Sequence, residues 1–197
     1  MSNMSILTLL LLSISLFSRA SSTSLDDYVW MPDPHFRWFD TGARIEGASL
    51  DNTTRWVGYI LNVTSQQWLT PEDVSLSIWT HFLVVIVPDN VKYKQNATLW
   101  ICGGGNPLND LPEASDEDIT IAAGIAMAVG NIAGALFQIP NQEIYFAEET
   151  AKLYPEPPYG RKEDAIIAYT WDHFLRYPDQ PEWLVRFPMV CLLGGYS

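Results

Sequence analysis

The distribution of apolar residues along the chain predicts a sheet of short, strongly hydrophobic strands. Residues 79–87 (WTHFLVVIV) are almost continuously apolar, which is typical of a strand covered on both faces, and Pro88 ends the run. Further strands are predicted at 56–63, 97–102 and 134–139. Strands of this kind need helices above and below them, because water would otherwise contact their apolar side chains.

Three segments have the pattern of helices. Residues 115–132 start with Ser115 and acidic residues, which suit the positive end of a helix, and continue with Ala and Gly that allow close approach to a sheet. Residues 161–177 place apolar side chains on one side at helical spacing, and a third helix begins at Pro181. We expect the first helix to cover one side of the sheet and the second helix another. This alternation predicts an α/β fold whose sheet is at least partly parallel.

The segment before the first predicted strand is aromatic and rich in proline, and it lacks a clear period. Residues 25–51 include Tyr28, Trp30, Trp38 and Phe39. We expect an ordered arm with little regular structure, whose rings cover the core of the protein. The alternative is that the aromatic residues of this arm form the contact surface of an extracellular binding module.

The first twenty residues have the pattern of a secretory signal peptide. The apolar run Ile6–Phe17 is too short for a bilayer, which needs about 20 residues, and Ser18-Arg19-Ala20 has the small residues of a cleavage site. The Ala- and Gly-rich helix at 115–132 supplies too little insertion energy for a membrane span. The sequence therefore predicts a secreted protein with no stable membrane span after removal of residues 1–20.

Three sequons agree with secretion. Asn52, Asn62 and Asn96 are each followed by Thr two positions later, with no intervening Pro, and are candidate N-glycosylation sites. The alternative for each is a polar strand or loop Asn that happens to precede a Thr. We expect glycans on these residues if the chain enters the secretory pathway.

Charge and histidine spacing exclude several functions. The chain has 11 basic and 23 acidic residues, and removal of Arg19 with the signal peptide leaves ten basic ones, so phosphate-rich nucleic acids would be repelled. His35, His81 and His173 have no partner at metal-ligand spacing, and no cofactor or metal is predicted. His81, inside a strand, is interpreted as a hydrogen-bonded core histidine.

Two cysteines are too few for a disulfide-stapled small domain. Cys102 and Cys191 could pair, but Cys102 closes an apolar strand, which favours a buried free thiol.

Five segments have long strings of distinctive composition. They are 62–74 (NVTSQQWLTPEDV), 79–88 (WTHFLVVIVP), 100–106 (WICGGGN), 138–142 (QIPNQ) and 164–175 (DAIIAYTWDHFL). In these strings the chain, up to about Met189, resembles the PhoPQ-activated pathogenicity-related family, which includes the autocrine proliferation repressor proteins of amoebae. The resemblance implies the α/β-hydrolase superfamily, whose sheet carries a nucleophilic Ser, an acid and a His.

The resemblance also implies a role for three glycines. Gly103, Gly104 and Gly105 stand where this superfamily has the loop that supplies an oxyanion-hole N–H. A tight turn that needs positive φ is the alternative explanation for these glycines. Family members continue to a Gly-x-Ser-x-x-Gly turn, which this sequence lacks. We therefore expect an incomplete α/β-hydrolase-like sheet flanked by helices, truncated before the nucleophile elbow, with no catalytic residues.

The predicted organisation is a signal peptide at 1–20, the aromatic arm at 21–55, a hydrolase-like part at 56–190 and a divergent end at 191–197. The leading functional hypothesis is a secreted glycoprotein without a catalytic triad that acts in extracellular signalling. The alternatives are the N-terminal half of a secreted serine hydrolase acting on an ester or amide, and an extracellular binding module. We also expect an open sheet edge, which favours an extracellular protein partner or self-association.

Overall fold

The computed structural model describes residues 22–106, 110–149 and 160–194. The predicted signal peptide at 1–20 lies outside these residues, as do residues 195–197 of the divergent end. Five strands are described: β1 (Arg37–Ala48), β2 (Arg55–Gln67), β3 (Ile78–Pro88), β4 (Ala97–Ile101) and β5 (Ile132–Leu136). The helices with described bounds are α1 (Ser24–Val29), α2 (Glu117–Val129), α3 (Glu163–Arg176), the short 3-10 helix Pro181–Trp183, and α4 (Arg186–Gly194).

The strands form one mixed sheet in the order β1-β2-β3-β5-β4. The pairs β1/β2, β2/β3 and β3/β5 are antiparallel, whereas β4 and β5 are parallel and are joined by α2. The prediction of a partly parallel sheet in an α/β fold is confirmed. The two parallel strands bring the segments that follow β4 and β5 to the same end of the sheet, where the glycine-rich loop lies.

The prediction of an N-terminal arm with little regular structure is wrong. Residues 24–29 form α1, and β1 pairs with β2 along most of its length. The alternation of β1 is hard to recognise because its register shifts between Asp40 and Arg44, where Gly42 has a φ of +82°. Tyr28 packs on Phe187 at 5.6 Å between ring centroids.

The expected role of the arm as core cover also fails for most of its large side chains. Five of them are more than half exposed: Trp30 (63%), Met31 (61%), Trp38 (60%), Phe39 (55%) and Leu50, which is fully exposed. The arm therefore presents apolar surface to solvent.

Helix α2 covers one face of the sheet through small side chains. Ile119, Ala122, Ala123 and Ala126 are buried in one cluster with inward-facing residues of β2, β3 and β5, namely Ile60, Phe82, Val84, Ile86, Ala133 and Ala135. Alanines at the contact let the helix axis approach the strands closely. None of the helices in the described residues is both long and apolar enough to cross a membrane.

Helix α3 does not cover the second face of the sheet, contrary to the prediction. Its Ile166 lies in a separate cluster with Trp79, near the start of β3, and with Trp68, Phe146 and Trp183. The segment after β5 reaches this cluster through two isolated antiparallel β-bridges, one between Val74 and Phe146 and one between Ile144 and Arg161. The second face retains an open apolar groove of about 300 Å³ lined by Phe36, Trp38, Leu61, Val63, Leu83, Leu99 and Leu136.

One polar pair is buried between β2 and β3. Ser65 Oγ lies 2.9 Å from His81 Nε2, and His81 Nδ1 lies 3.0 Å from the carbonyl oxygen of Phe137. Neither Ser65 nor His81 is exposed to solvent. The interpretation of His81 as a hydrogen-bonded core histidine is confirmed. Burial lowers the pKa of His81 to about 4, because the charged imidazolium would lose its hydration.

This depressed pKa makes the stability of the fold pH-dependent. In the unfolded chain His81 takes up a proton near pH 6.5, whereas the folded chain resists protonation down to about pH 4. As pH falls through this window, the free energy of unfolding should decrease by up to about 3 kcal/mol from His81 alone, and above it His81 contributes no pH dependence. Urea unfolding of the wild-type chain and of His81→Gln across this window measures the difference in slope.

His81→Gln should flatten the slope. Equal slopes for the wild-type chain and His81→Gln would contradict the assignment.

Candidate functional site

The glycine-rich loop Gly103–Gly105 follows β4 and is exposed at the end of the sheet. The residues after β5 lie directly beside it. Gln138 N–H donates to the carbonyl oxygen of Gly103 at 2.8 Å, and Ile139 N–H donates to that of Cys102 at 3.0 Å. The predicted strand at 134–139 therefore ends early, at Leu136, and its remaining residues form one wall of the loop.

Gln138 joins the loop to β3. Its side-chain Oε1 accepts a hydrogen bond from Phe82 N–H at 3.0 Å, in the place of a backbone carbonyl. Gln138 is fully buried and has a φ of +60°, a left-handed conformation that a residue with a side chain rarely adopts. The turn at Gln138 is thus held by contacts on two sides.

Two asparagines hold the other side of the loop. Asn106 N–H donates to the carbonyl oxygen of Gln142, and Gln142 N–H donates to Asn106 Oδ1 at 3.2 Å. Asn141 forms a reciprocal pair with the backbone of Thr80, with both distances at 3.0 Å. Because Asn141 and Gln142 are buried, breaking these bonds would leave unpaired polar groups inside the protein. The loop is therefore held rigidly between two neighbouring segments.

The backbone geometry explains only one of the three glycines. Gly104 has a φ of +116°, which favours glycine. A Cβ at Gly103 would lie 3.6 Å from Glu163 Oε1, and a Cβ at Gly105 would lie 3.8 Å from the carbonyl oxygen of Gln142, both ordinary contacts. Within the described residues, none of the three glycine N–H groups donates to another residue. A tight turn therefore accounts for Gly104 alone, and the loop presents free amides of the kind that stabilise an oxyanion.

The charges around the loop are mixed. The Glu163 carboxyl group lies close to Gly103. The backbone N–H of Glu163 donates a hydrogen bond to Gln142 Oε1 at 2.9 Å. Lys162 Nζ and Glu143 Oε1 form an ion pair at 2.6 Å. A neighbouring carboxylate opposes the development of negative charge at Gly103. A cleft of about 390 Å³ opens here, lined by Ser75, Leu76, Gly105, Asn106, Gln142, Glu143, Tyr145 and Lys162.

Cys102 is the thiol nearest to the loop, and it is not activated. The side chain is buried, and burial raises the pKa of the Cys102 thiol to about 12, with a further contribution from the neighbouring Asp118. A thiolate is the reactive form of cysteine, so this group is inert at neutral pH. Both Cys102 and Cys191 are free and buried, and the prediction of a buried free thiol at Cys102 is confirmed.

The three histidines lie in three different places. His81 is in the core, His35 bonds to Asp33 at 2.9 Å, and His173 stacks on Trp183 with 3.7 Å between ring centroids. In the part of the chain that the structure describes, no group of three metal-ligating side chains converges.

The three sequon asparagines differ in exposure. Asn52 lies in an exposed turn with a φ of +57°, and Asn96 is exposed directly before β4. Asn62 is half-buried in the inner strand β2, between Phe39 of β1 and Phe82 of β3. The first two positions offer room for a glycan on the folded protein, and the third offers little.

The residues that hold the glycine loop are the part of the site that sequence reasoning missed. Asn106, Gln138 and Asn141 stand in the distinctive strings WICGGGN and QIPNQ, but nothing in those strings indicates their partners. Those partners, Thr80 and Phe82, are distant in sequence. Only the folded chain brings the three segments together.

Comparison with known proteins places the chain among relatives. The sequence profile of the family described as PhoPQ-activated pathogenicity-related protein matches residues 25–193. The chain is 35% identical over 185 residues to Autocrine proliferation repressor protein A of Dictyostelium discoideum. That match covers 92% of this chain and 33% of the relative, so the chain spans about one third of the relative's length.

Two solved structures of a Glucuronoyl Esterase from Solibacter usitatus are distantly similar. They are 11% and 12% identical to the chain, cover 78% of it and 44% of their own length, and have TM-scores of 0.31. The family assignment rests on the sequence matches, which extend over most of the chain. The chain belongs to the PhoPQ-activated pathogenicity-related protein family.

Proposed function

We propose that this protein is a secreted glycoprotein that acts in extracellular signalling, as a proliferation-repressor-like member of its family, without catalysing a reaction itself. The observation that carries this proposal is the 35% identity with Autocrine proliferation repressor protein A over 92% of the chain. The name of that relative describes a factor that limits the proliferation of the cells that produce it. Only one third of that relative is matched, so the function of the whole relative extends to this chain only as a proposal.

The chemistry of the described residues supports a non-catalytic role. The Ser65–His81 pair has the hydrogen bond of a catalytic dyad, but both side chains are buried and His81 contacts a backbone carbonyl in place of a carboxylate. A substrate cannot reach this pair. Cys102 is protonated at neutral pH, and Glu163 lies beside the candidate oxyanion loop.

The surface of the described chain supports a role in binding. The exposed residues Trp30 and Met31 lie in the segment between α1 and β1, and Trp38 and Phe39 lie on β1. Aromatic side chains are enriched at protein interfaces because they bury a large area at low entropic cost. This aromatic arm is the contact surface that an extracellular binding module or signalling protein would offer to a receptor.

A specific observation favours the second candidate, the N-terminal part of a secreted serine hydrolase acting on an ester or amide. Gly103 and Gly105 are not required by φ or by packing, yet the loop is held rigidly with its amides free. Amides that are held rigidly and are not already hydrogen-bonded are what an oxyanion hole requires. Under this alternative, residues outside this chain would supply the nucleophile, acid and histidine.

Secretion has a direct test. Expression in a eukaryotic secretory host should remove residues 1–20 and add glycans at Asn52 and Asn96, with little glycan at the half-buried Asn62. N-terminal sequencing and mass measurement before and after N-glycosidase treatment check this. Asn52→Gln and Asn96→Gln should each remove one glycan, while Asn62→Gln should not change the mass of the secreted protein beyond the substitution. An intact Met1 on secreted protein would contradict the proposal.

The signalling hypothesis predicts an effect on proliferation without a reactive serine in this chain. Purified secreted chain should slow the proliferation of the cells that express it and should not label with a fluorophosphonate probe, because no exposed serine in the described part of the chain is paired with an activating base. Heat-denatured chain is the control for both measurements. A serine labelled only in the folded chain would contradict the proposal that this chain does not catalyse a reaction itself, and unchanged proliferation would contradict the signalling hypothesis.

A further inference from the structure

The glycine loop and the carboxylate of Glu163 border a common gap. A Cβ at Gly103 would meet Glu163 Oε1 at 3.6 Å, and no other atom outside the adjoining residues lies within 4 Å of that position. Gly103 is not among the glycines with positive φ, so the backbone conformation does not require glycine here. The absence of a side chain at Gly103 therefore keeps the space in front of the carboxylate open.

Glu163 is held in place by the same residues that hold the loop. Its backbone N–H donates to Gln142 Oε1 at 2.9 Å, and Gln142 N–H donates in turn to Asn106 Oδ1 at 3.2 Å. Asn106 directly follows Gly105, so this connection leads from Glu163 back to the loop. Glu163 also has a φ of +39°, a strained conformation that persists only where surrounding contacts impose it. The position of the carboxylate relative to the loop is therefore set by contacts among the described residues.

A further donor without an acceptor lies next to the loop. Gln138 is fully buried, and its Cγ lies 3.8 Å from the position that a Cβ on Gly104 would take. Because Phe82 N–H can only donate, it fixes Oε1 as its acceptor and leaves Gln138 Nε2, which has no partner within the described chain. An unpaired buried donor costs free energy that an acceptor oxygen would recover. The unpaired amides of the loop and Gln138 Nε2 are thus all donors that lack an acceptor.

The donors of the loop and the acceptor oxygens of Glu163 together define the kind of group that fits the gap. Such a group must present an oxygen to the amides of Gly103–Gly105 and a hydrogen to the carboxylate. A carboxamide does both. A carboxylate has no hydrogen to donate, and the like charge of Glu163 repels it. The adjacent cation Lys162 is paired with Glu143 at 2.6 Å, so its charge is already matched by another carboxylate.

We propose that Gly103–Gly105 and Glu163 form a binding site for an uncharged carboxamide group, and that Glu163 excludes carboxylates from this site. The glycine amides bind the carbonyl oxygen of the ligand, and Glu163 accepts a hydrogen bond from its N–H. This site goes beyond the proposed signalling role, which rests on similarity to a relative and not on the loop.

Acetamide and acetate test the site because they have nearly the same shape and differ in charge and in the presence of an N–H. Each is titrated into the isotope-labelled chain in low-salt buffer at neutral pH, and the NMR signals of the Gly103–Gly105 amides are followed. Acetamide should shift these signals to saturation, and acetate should bind about fivefold more weakly, the effect of one like charge about 4 Å away in water. Added salt should reduce this difference. Equal binding of the two probes, or no shift with acetamide, would overturn the proposal.

The role of Glu163 is tested by Glu163→Gln, which keeps the size of the side chain and an acceptor oxygen but removes the charge. This variant should bind acetate and acetamide equally, within about twofold. The matched control is Asp164→Asn, which removes the same charge from the next exposed residue of α3 and should keep the preference of the wild-type chain. A preference that survives Glu163→Gln, or that Asp164→Asn also removes, would overturn the assignment of Glu163.

The gap itself is tested by Gly103→Ala. The added methyl would lie in contact with Glu163 Oε1 and leave no room for a ligand between them, so acetamide should no longer shift the signals of the remaining loop amides. Gly124→Ala is the control, because a Cβ on this residue of α2 meets nothing within 4 Å, and it should bind acetamide as the wild-type chain does. The NMR spectrum of each variant reports whether it is folded. Unchanged acetamide binding by folded Gly103→Ala would overturn the proposed site and leave the signalling role intact.

Discussion

The long antiparallel pairing of β2 with β3 is the interaction on which the rest of the structure depends. It runs from Trp56 opposite Pro88 to Gln67 opposite Ile78, with one register shift near Thr64. This pair carries β1 on one side and β5 on the other, and it supplies the apolar face on which α2 packs. The buried Ser65–His81 contact crosses the same pair. Every feature of the candidate site is positioned by reference to these two strands.

The end of β5 shows how the β2/β3 pair positions the glycine loop. Beyond Leu136 the backbone leaves the sheet, and side-chain amides of Gln138 and Asn141 take over the hydrogen bonds that β3 offers. Each such bond contributes about 1 kcal/mol net, but the loss of one partner costs more when the other is buried. This arrangement allows a tight, irregular segment to be rigid, and rigidity is what a loop of free amides needs in order to bind a ligand.

The same sheet leaves two surfaces without a covering element among the described residues. Because α3 packs near the start of β3, the groove on the second face stays open. Among the described strands, β4 has no neighbour on its outer side. Apolar surface and a free strand edge at one place favour association. The acidic charge of the chain acts against uncontrolled association.

The sequence by itself determined the elements whose signal is local. The apolar run at 79–87, the Ala- and Gly-rich segment at 115–132 and the amphipathic segment at 161–177 correspond to β3, α2 and α3, because hydrophobic period is a property of neighbouring residues. The three glycines and the buried Cys102 could also be found, since each follows from its position after an apolar strand.

Only the tertiary structure decided where these elements lie. Strand β1 is exposed and interrupted by a register shift, so its stability comes from pairing with β2 rather than from its own pattern. The place where α3 packs depends on contacts between residues far apart in the chain. The same is true of the hydrogen-bond partners of Asn106, Gln138 and Asn141. Side-chain amides bond equally well to many backbone groups, so their partners are chosen by proximity in the folded chain and not by spacing in the sequence.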